Sequence, residues 1–188
     1  MNAFADYAQR LKTTIDGYDW AALQPLADLV REAWSEGRHI YLCGNGGSAG
    51  NAIHLANDYL YGVAKSGGKA IRVTALPANA AVLTCLANDI AYDAIYSQQL
   101  ETLARKDDVL IVLSGSGNSP NVVKAIEKGR EIGMRTVAIL GYSGGRCKEL
   151  AEFPIHFAVD DMQISEDMQL VVGHMLMQWL YANPPENV

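Results

Sequence analysis

His54 and Asp58 stand four residues apart, and His174 follows Glu166 by eight in the last long stretch of the chain. A spacing of four places His54 and Asp58 on one face of a helix. Two imidazoles and two carboxylates form a ligand set suited to a divalent ion such as zinc. They are equally an acid–base set for moving a proton next to a carbonyl. Distance restricts the first use. Eight helical residues rise about 12 Å, so Glu166 and His174 share an ion only if the helix begins after Glu166, bends, or meets a neighbouring subunit. A solvated helix pair at His54–Asp58 and a hydrogen-bonded core histidine at His174 explain the same residues without any chemistry.

A second chemistry, anion binding, is suggested by two glycine–serine runs. Cys43-Gly-Asn-Gly-Gly-Ser-Ala-Gly-Asn51 follows one short apolar run, and Ser114-Gly-Ser-Gly-Asn-Ser-Pro-Asn121 follows another. Glycines let a backbone curl tightly and turn its N–H groups toward a ligand. A helix starting after such a run adds free N–H donors and the positive end of its dipole. Ser114, Ser116 and Ser119 add hydroxyl donors within six residues, and Pro120 sits at an early helical position, where proline is favoured. The plainer reading is that Ser119 caps a helix and the glycines make a turn, which explains one run more easily than two. Gly44-x-Gly46-x-x-Ala49 also matches a dinucleotide fingerprint. That reading needs a carboxylate ending the next strand, and Ala70–Ala75 runs instead into Leu76-Pro77. Neither run has the Lys-Ser/Thr ending of a P-loop, so no nucleotide cofactor is expected.

The elements that must position these groups are legible from periodicity. Apolar runs at His39–Cys43, Ala70–Ala75, Val109–Leu113, Thr136–Leu140 and Ile155–Val159 read as buried strands. Helical patterns cover about 48–62, 79–87, 92–105, 119–132, 144–151 and 164–182. Two more precede the first strand, one through Phe4, Tyr7, Ala8 and Leu11, the other through Leu23, Leu26, Leu29, Val30 and Trp34, with Pro25 near its start. Strands alternating with helices predict an α/β fold, a three-layer αβα sandwich around a five-stranded parallel sheet. Ligands in such sheets collect at the carboxyl ends of the strands, where both glycine–serine runs fall.

The 188 residues correspond to a single domain over 1–188, with extra N-terminal helices over about 1–37. A 49% hydrophobic and 19% charged composition excludes a disordered chain. The net charge of −6 argues against a broad nucleic-acid or anionic-membrane surface. The first residues mix charges into every turn, unlike a signal peptide, and no segment approaches a membrane span, so a soluble cytoplasmic protein is expected. Cys43, Cys85 and Cys147 are too scattered for a disulfide or thiolate zinc framework; Cys43 and Cys85, in apolar runs, are expected to be buried. His39 and His156 read as structural, and Tyr92, Tyr96, Gln98 and Gln99 as helix packing or an oligomer face.

Taken in order, Cys43-Gly-Asn-Gly-Gly-Ser-Ala49, Asn88-Asp89, Ser114 through Asn121 and Glu166 through His174 resemble the sugar isomerase (SIS) domain family, and within it the phosphoheptose isomerases. The resemblance spans almost the whole chain. It implies conversion of sedoheptulose 7-phosphate to D-glycero-D-manno-heptose 7-phosphate, the entry to heptose synthesis, by a homotetramer with sites at subunit interfaces and the N-terminal helices packing in the oligomer. It also implies that Ser114, Ser116 and Ser119 hold the phosphate, with Gly115 and Asn118 shaping the loop. Asn45, Gly46, Gly47, Ser48, Asn88, Asp89 and Glu166 would contact the sugar. Asp58 and His174 fall on the catalytic positions, and His54, Asp58, Glu166 and His174 on the positions that bind zinc in metal-containing members.

Four positions depart from the family pattern. Asp58 replaces a glutamate and withdraws the carboxylate by about 1.5 Å, a shift that can cost on the order of a hundredfold in rate unless the backbone compensates. Glu166 replaces a glutamine, and its added negative charge favours a metal. Gly62 stands where arginine is common, and Gly115 where threonine is common. Two competing readings share the fold: a non-catalytic member that binds a replication initiator, and a sensor of sugar phosphates. Neither needs a metal-competent cluster of histidines and acids.

Overall fold

The computed structural model describes residues 2–65, 67–186 and 188; of the domain expected over 1–188, Met1, Ser66 and Asn187 lie outside the described residues. The five apolar runs pair into one parallel sheet of β1 (His39–Cys43), β2 (Arg72–Ala75), β3 (Val109–Ser114), β4 (Arg135–Leu140) and β5 (Phe153–His156). Their spatial order is β2-β1-β3-β4-β5. β3 is buried along its whole length because it lies between two neighbours and under helices on both faces.

Helices α1 (Ala3–Asp16) and α2 (Gln24–Ser35) precede the sheet. They are followed by α3 (Gly47–Tyr61), α4 (Ala80–Asp89), α5 (Ser97–Leu103), α6 (Pro120–Ile132), α7 (Gly145–Leu150) and α8 (Met162–Ala182). Side chains that alternate along the strands feed two cores. Ile40, Leu42, Ile111, Leu113 and Ile139 pack with α2, α3 and α8. Tyr41, Cys43, Leu110, Val112 and Leu140 pack on the other face with α5, α6 and α7. This is the expected αβα sandwich.

The helix expected over about 92–105 is confined to Ser97–Leu103 and the strand expected from Ala70 begins at Arg72, and three further details differ from the sequence reading. β5 begins at Phe153 rather than Ile155 and so includes Pro154. An edge strand tolerates a missing N–H, and β5 is at the edge. Beyond it the chain turns, with the Val159 amide donating to the Phe157 carbonyl at 2.8 Å. Second, α8 starts at Met162, where the Asp161 carboxylate accepts from the Ile164 amide at 3.0 Å and caps the helix. Glu166 is therefore already inside the helix that carries His174. Third, Cys85 is exposed, because α4 buries none of its side chains, while Cys147 is the second buried thiol beside Cys43. Burial pushes the Cys147 thiol up to about 12.

α3 and α8 approach closely. A Cβ on Gly173 would lie 2.3 Å from a Leu55 methyl, so only glycine admits Leu55 at this crossing. The Tyr59 hydroxyl donates to the Gly173 carbonyl at 3.2 Å. Outside them, α1 is joined to α8 by the Tyr7 hydroxyl, which donates to Asp167 at 2.6 Å, and by an ion pair between Arg10 and Asp161. Burial and the bond to the Asp167 carboxylate push Tyr7 up to about 12.

Candidate active site

The chain leaves β1 through α3 to pair β2 on one side of β1, whereas β3 pairs on the other side. This reversal puts the carboxyl ends of β1 and β3 next to each other, the place where open α/β sheets bind ligands. The loop after β1 and the loop after β3 are thereby neighbours. Gly44 shows how tight the approach is: a Cβ there would lie 2.7 Å from the Leu113 carbonyl oxygen. Asn45 and Asn121 join the loops through a reciprocal pair of amide hydrogen bonds, at 2.8 and 2.7 Å. The Tyr92 hydroxyl donates to Asn45 Oδ1 at 3.2 Å, and the buried Tyr96 hydroxyl donates to the Gly44 carbonyl. Burial pushes the Tyr96 phenol well above its ordinary range, so it remains a donor. Tyr96 thus packs as expected, but Tyr92 reaches the site loop rather than only a packing face.

The first loop is held by buried amides. Gly46 adopts φ +54°, a conformation suited to glycine, and opens α3 without a side-chain cap. Ser48 is buried and accepts from Gln169 Nε2 at 3.0 Å, and Gln169 Oε1 accepts from Asn51 Nδ2 at 3.0 Å. The Glu166 carboxylate lies over Gly47, with oxygens 2.3 and 2.5 Å from where a Cβ would stand. Any side chain at residue 47 would collide with it.

In the second loop the serines hold the turn while keeping their own protons. Ser114 Oγ accepts from the Gly117 amide at 3.1 Å, and Ser116 Oγ accepts from the Asn118 amide at 3.3 Å. Each hydroxyl that accepts still has one O–H to donate. Ser119 occupies the N-cap position of α6 but makes no capping hydrogen bond through its side chain, so capping does not explain it. Gly117 has φ +66° and lies so close to Gly144 that a Cβ would fall 1.9 Å from its carbonyl oxygen. Asn118 Oδ1 accepts from the Arg146 amide at 2.9 Å, tying the loop to α7. The Met162 sulfur fills the space where a Gly115 side chain would go, at 2.5 Å. Met177 does the same at Gly62, with its methyl 2.9 Å away. Both glycine departures are therefore matched by methionines of α8.

The third part lies where α3 crosses α8. His54 Nε2 and His174 Nε2 are 2.8 Å apart, and Asp58 Oδ2 is 3.4 Å from the first and 3.6 Å from the second. The rings meet edge to face at 83°. Leu55 seated on Gly173 is what brings their neighbours His54 and His174 together. A tetrahedral ion with ligands at 2.0–2.2 Å has ligand–ligand edges of about 3.3–3.6 Å, which the two edges to Asp58 match; the imidazole nitrogens, at 2.8 Å, would part by about half an ångström to take zinc with a fourth position open. Among the described residues only these three form such a group. Glu166, expected with them, stands apart: both it and His174 lie in one helix, two turns from each other, and its carboxylate is at Gly47.

Asn88 and Asp89 end α4 on the exposed surface. Asn88 donates to Asp89 at 2.7 Å, and this amide, with the Cys85 thiol, holds the Asp89 carboxyl below its ordinary range. Among the described residues neither is hydrogen-bonded to the two loops. His39 stacks on Tyr41 and His156 binds the Tyr142 carbonyl, both away from the triangle. Sequence reasoning gave Asn51 and Asn121 no role beyond ending the two runs, and it missed Gln169, whose only signal was a polar residue at a helical position that packing makes internal.

The SIS domain model matches residues 3–141. A phosphoheptose isomerase of Akkermansia muciniphila is 39% identical over 156 residues, 83% of this chain and 82% of that protein. One from Helicobacter pylori is 35% identical over 92% of this chain and 89% of its own length. The solved structure of a phosphoheptose isomerase from Neisseria gonorrhoeae superposes with a TM-score of 0.86 and 25% identity, covering 95% of this chain and 96% of that one.

Proposed function

Because the chain belongs to the SIS domain family, we propose that its site works as an aldose–ketose isomerase on a phosphorylated heptose, converting sedoheptulose 7-phosphate to D-glycero-D-manno-heptose 7-phosphate. The observation that carries this reading is the His54–Asp58–His174 triangle, about two helical turns along α3 and α8 from the first of two glycine–serine loops that meet at the sheet's switch point. A protein that only bound a partner or sensed a sugar phosphate would have no use for the triangle.

Ser114, Ser116 and Ser119 receive the phosphate, with Gly115 and Asn118 setting the loop's shape. The first loop is a poor place for it, because the Glu166 carboxylate already lies over Gly47. Asn45, Gly46, Gly47 and Ser48 instead face the sugar, with Glu166, Asn88 and Asp89 as further contacts to its hydroxyls. Asp58 and His174 move the proton: it leaves carbon 1 of the ketose, an enediolate forms, and a proton is returned at carbon 2 while the hydroxyl proton of oxygen 1 passes to oxygen 2, which leaves the carbonyl at carbon 1. Asp58 has an oxygen for each task, since Oδ2 faces the imidazoles while Oδ1 lies beside Asn57. His54, Asp58 and His174 would hold zinc, which when bound would supply a Lewis acid for the enediolate oxygens and would leave Asp58 and His174 serving mainly as its ligands.

Ile53, Leu60 and Tyr61 on α3 and Met175 and Tyr181 on α8 are exposed apolar side chains on the two helices that carry the triangle. They support a homotetramer with its sites at subunit interfaces. No helix among the described residues is long and apolar enough to cross a membrane, and the net charge is −6. Both support a cytoplasmic enzyme without nucleic-acid or membrane partners.

Purified protein incubated with sedoheptulose 7-phosphate should yield the aldose, and a chelator should abolish turnover. Metal analysis should return about one zinc per chain. Folded Asp58→Asn and His174→Ala variants should lose on the order of a hundredfold or more in kcat. Unchanged rates in both would refute the assignment, and sedimentation as a monomer would refute the tetramer.

A further inference from the structure

We infer that Asn121 and Tyr92 are positioning residues that lock the Asn45 side chain as a one-proton donor to an oxygen of the sugar. The inference rests on the reading above that a phosphorylated sugar lies across the first loop. An amide can ordinarily be turned end for end, so which atom it presents to a substrate is open until its partners decide. Here a backbone group decides. The Val122 amide donates to Asn121 Oδ1 at 3.0 Å, and a backbone N–H can only donate. Asn121 is 1% exposed and has its oxygen fixed on that side. The same oxygen accepts from Asn45 Nδ2, and Asn121 Nδ2 donates to Asn45 Oδ1. Turning Asn45 over would set oxygen against oxygen and nitrogen against nitrogen.

Tyr92 completes the lock. Its hydroxyl donates to Asn45 Oδ1, which then has both lone pairs engaged. Asn45 Nδ2 has one N–H on Asn121, and its second N–H meets no acceptor among the described residues. Asn45 therefore offers the sugar one donor and no acceptor. Such a donor binds a carbonyl or hydroxyl oxygen and gains strength as that oxygen becomes enediolate-like in the transition state. Because Asn121 is the second residue of α6, directly behind the second loop, the orientation of the sugar donor is set from the proposed phosphate side of the site.

The test is a kinetic cycle with a structural readout. Asn45→Ala should lower kcat on the order of a hundredfold. Tyr92→Phe, at an exposed ring whose packing is unchanged, should lower kcat about threefold to tenfold with an unchanged Tm. In the Asn45→Ala background Tyr92→Phe should change kcat by less than about twofold, because its effect passes through Asn45. Equal effects in the two backgrounds, or no effect in either, would overturn the inference. The side-chain amide NMR signals of Asn45 give a readout independent of turnover. In the ligand-free protein one proton should be protected from exchange and the other not, and Asn121→Ala or Tyr92→Phe should reduce that difference. Two equally exposed protons in the unaltered protein would also overturn it. A protein that leaves sedoheptulose 7-phosphate untouched yet shows the protected proton would defeat the functional reading and leave the lock standing.

Discussion

The two glycine–serine loops look alike in sequence and are built differently. The first is fastened by side-chain amides: Gln169 to Ser48 and Asn51, and Asn121 to Asn45, with the Glu166 carboxylate over Gly47. The second is fastened by its own serines accepting its own backbone N–H groups and by close backbone contact with Gly144. The consequence is electrostatic. The first loop carries a negative side chain where a helix N-terminus would otherwise attract an anion, and the second keeps hydroxyl protons to donate. Two loops of similar residue types thus present different groups, and the proposed division into a sugar-facing and a phosphate-facing loop rests on that difference.

The contrast can be broken from either side. Gly117→Ala places a Cβ against the Gly144 carbonyl at a φ of +66°, so the second loop must shift; turnover should fall on the order of a hundredfold, read as kcat/KM. Gln169→Ala leaves buried Ser48 without its partner and opens a gap, so unfolding in urea should show a loss of about 2–3 kcal/mol. Phosphate affinity should barely move in that variant, because the second loop is untouched. Glu166→Gln removes the charge over the first loop. Inorganic phosphate, titrated calorimetrically, should bind about threefold more tightly, with the difference shrinking as salt rises. Loss of affinity there would mean that Glu166 helps to hold the anion. The smallest effect is expected at Gly50, a helical glycine of α3 with nothing within 4 Å of a Cβ. Gly50→Ala should raise stability by about 0.5–1 kcal/mol in thermal unfolding.

Much of the scaffold was legible because its signals are short-range. His39–Cys43 was bounded correctly by an apolar run stopping at glycine, and the helical pattern over about 119–132, with Pro120 near its start, matches α6. β5 was misplaced because Pro154 argues against a strand until the strand is known to be an edge. Cys85 was expected to be buried because its run is apolar, and only packing shows that α4 turns that run outward. The site was half legible. The serines and the His54–Asp58 pair follow from spacing, whereas Gln169 and Asn121 look like ordinary helical polar residues until their partners are in place.

Residue order alone determined the alternation of strands and helices, the two curled loops and the candidate side chains, because dihedral preferences and apolar period act within a few neighbours. Only the tertiary structure decided which of four candidates meet. His54 and His174 are 120 residues apart and touch because Leu55 seats on Gly173, while Glu166, two turns up the same helix, is carried to Gly47 instead. A helix is rigid over that length, so the crossing point of α3 and α8 selects which side chains converge.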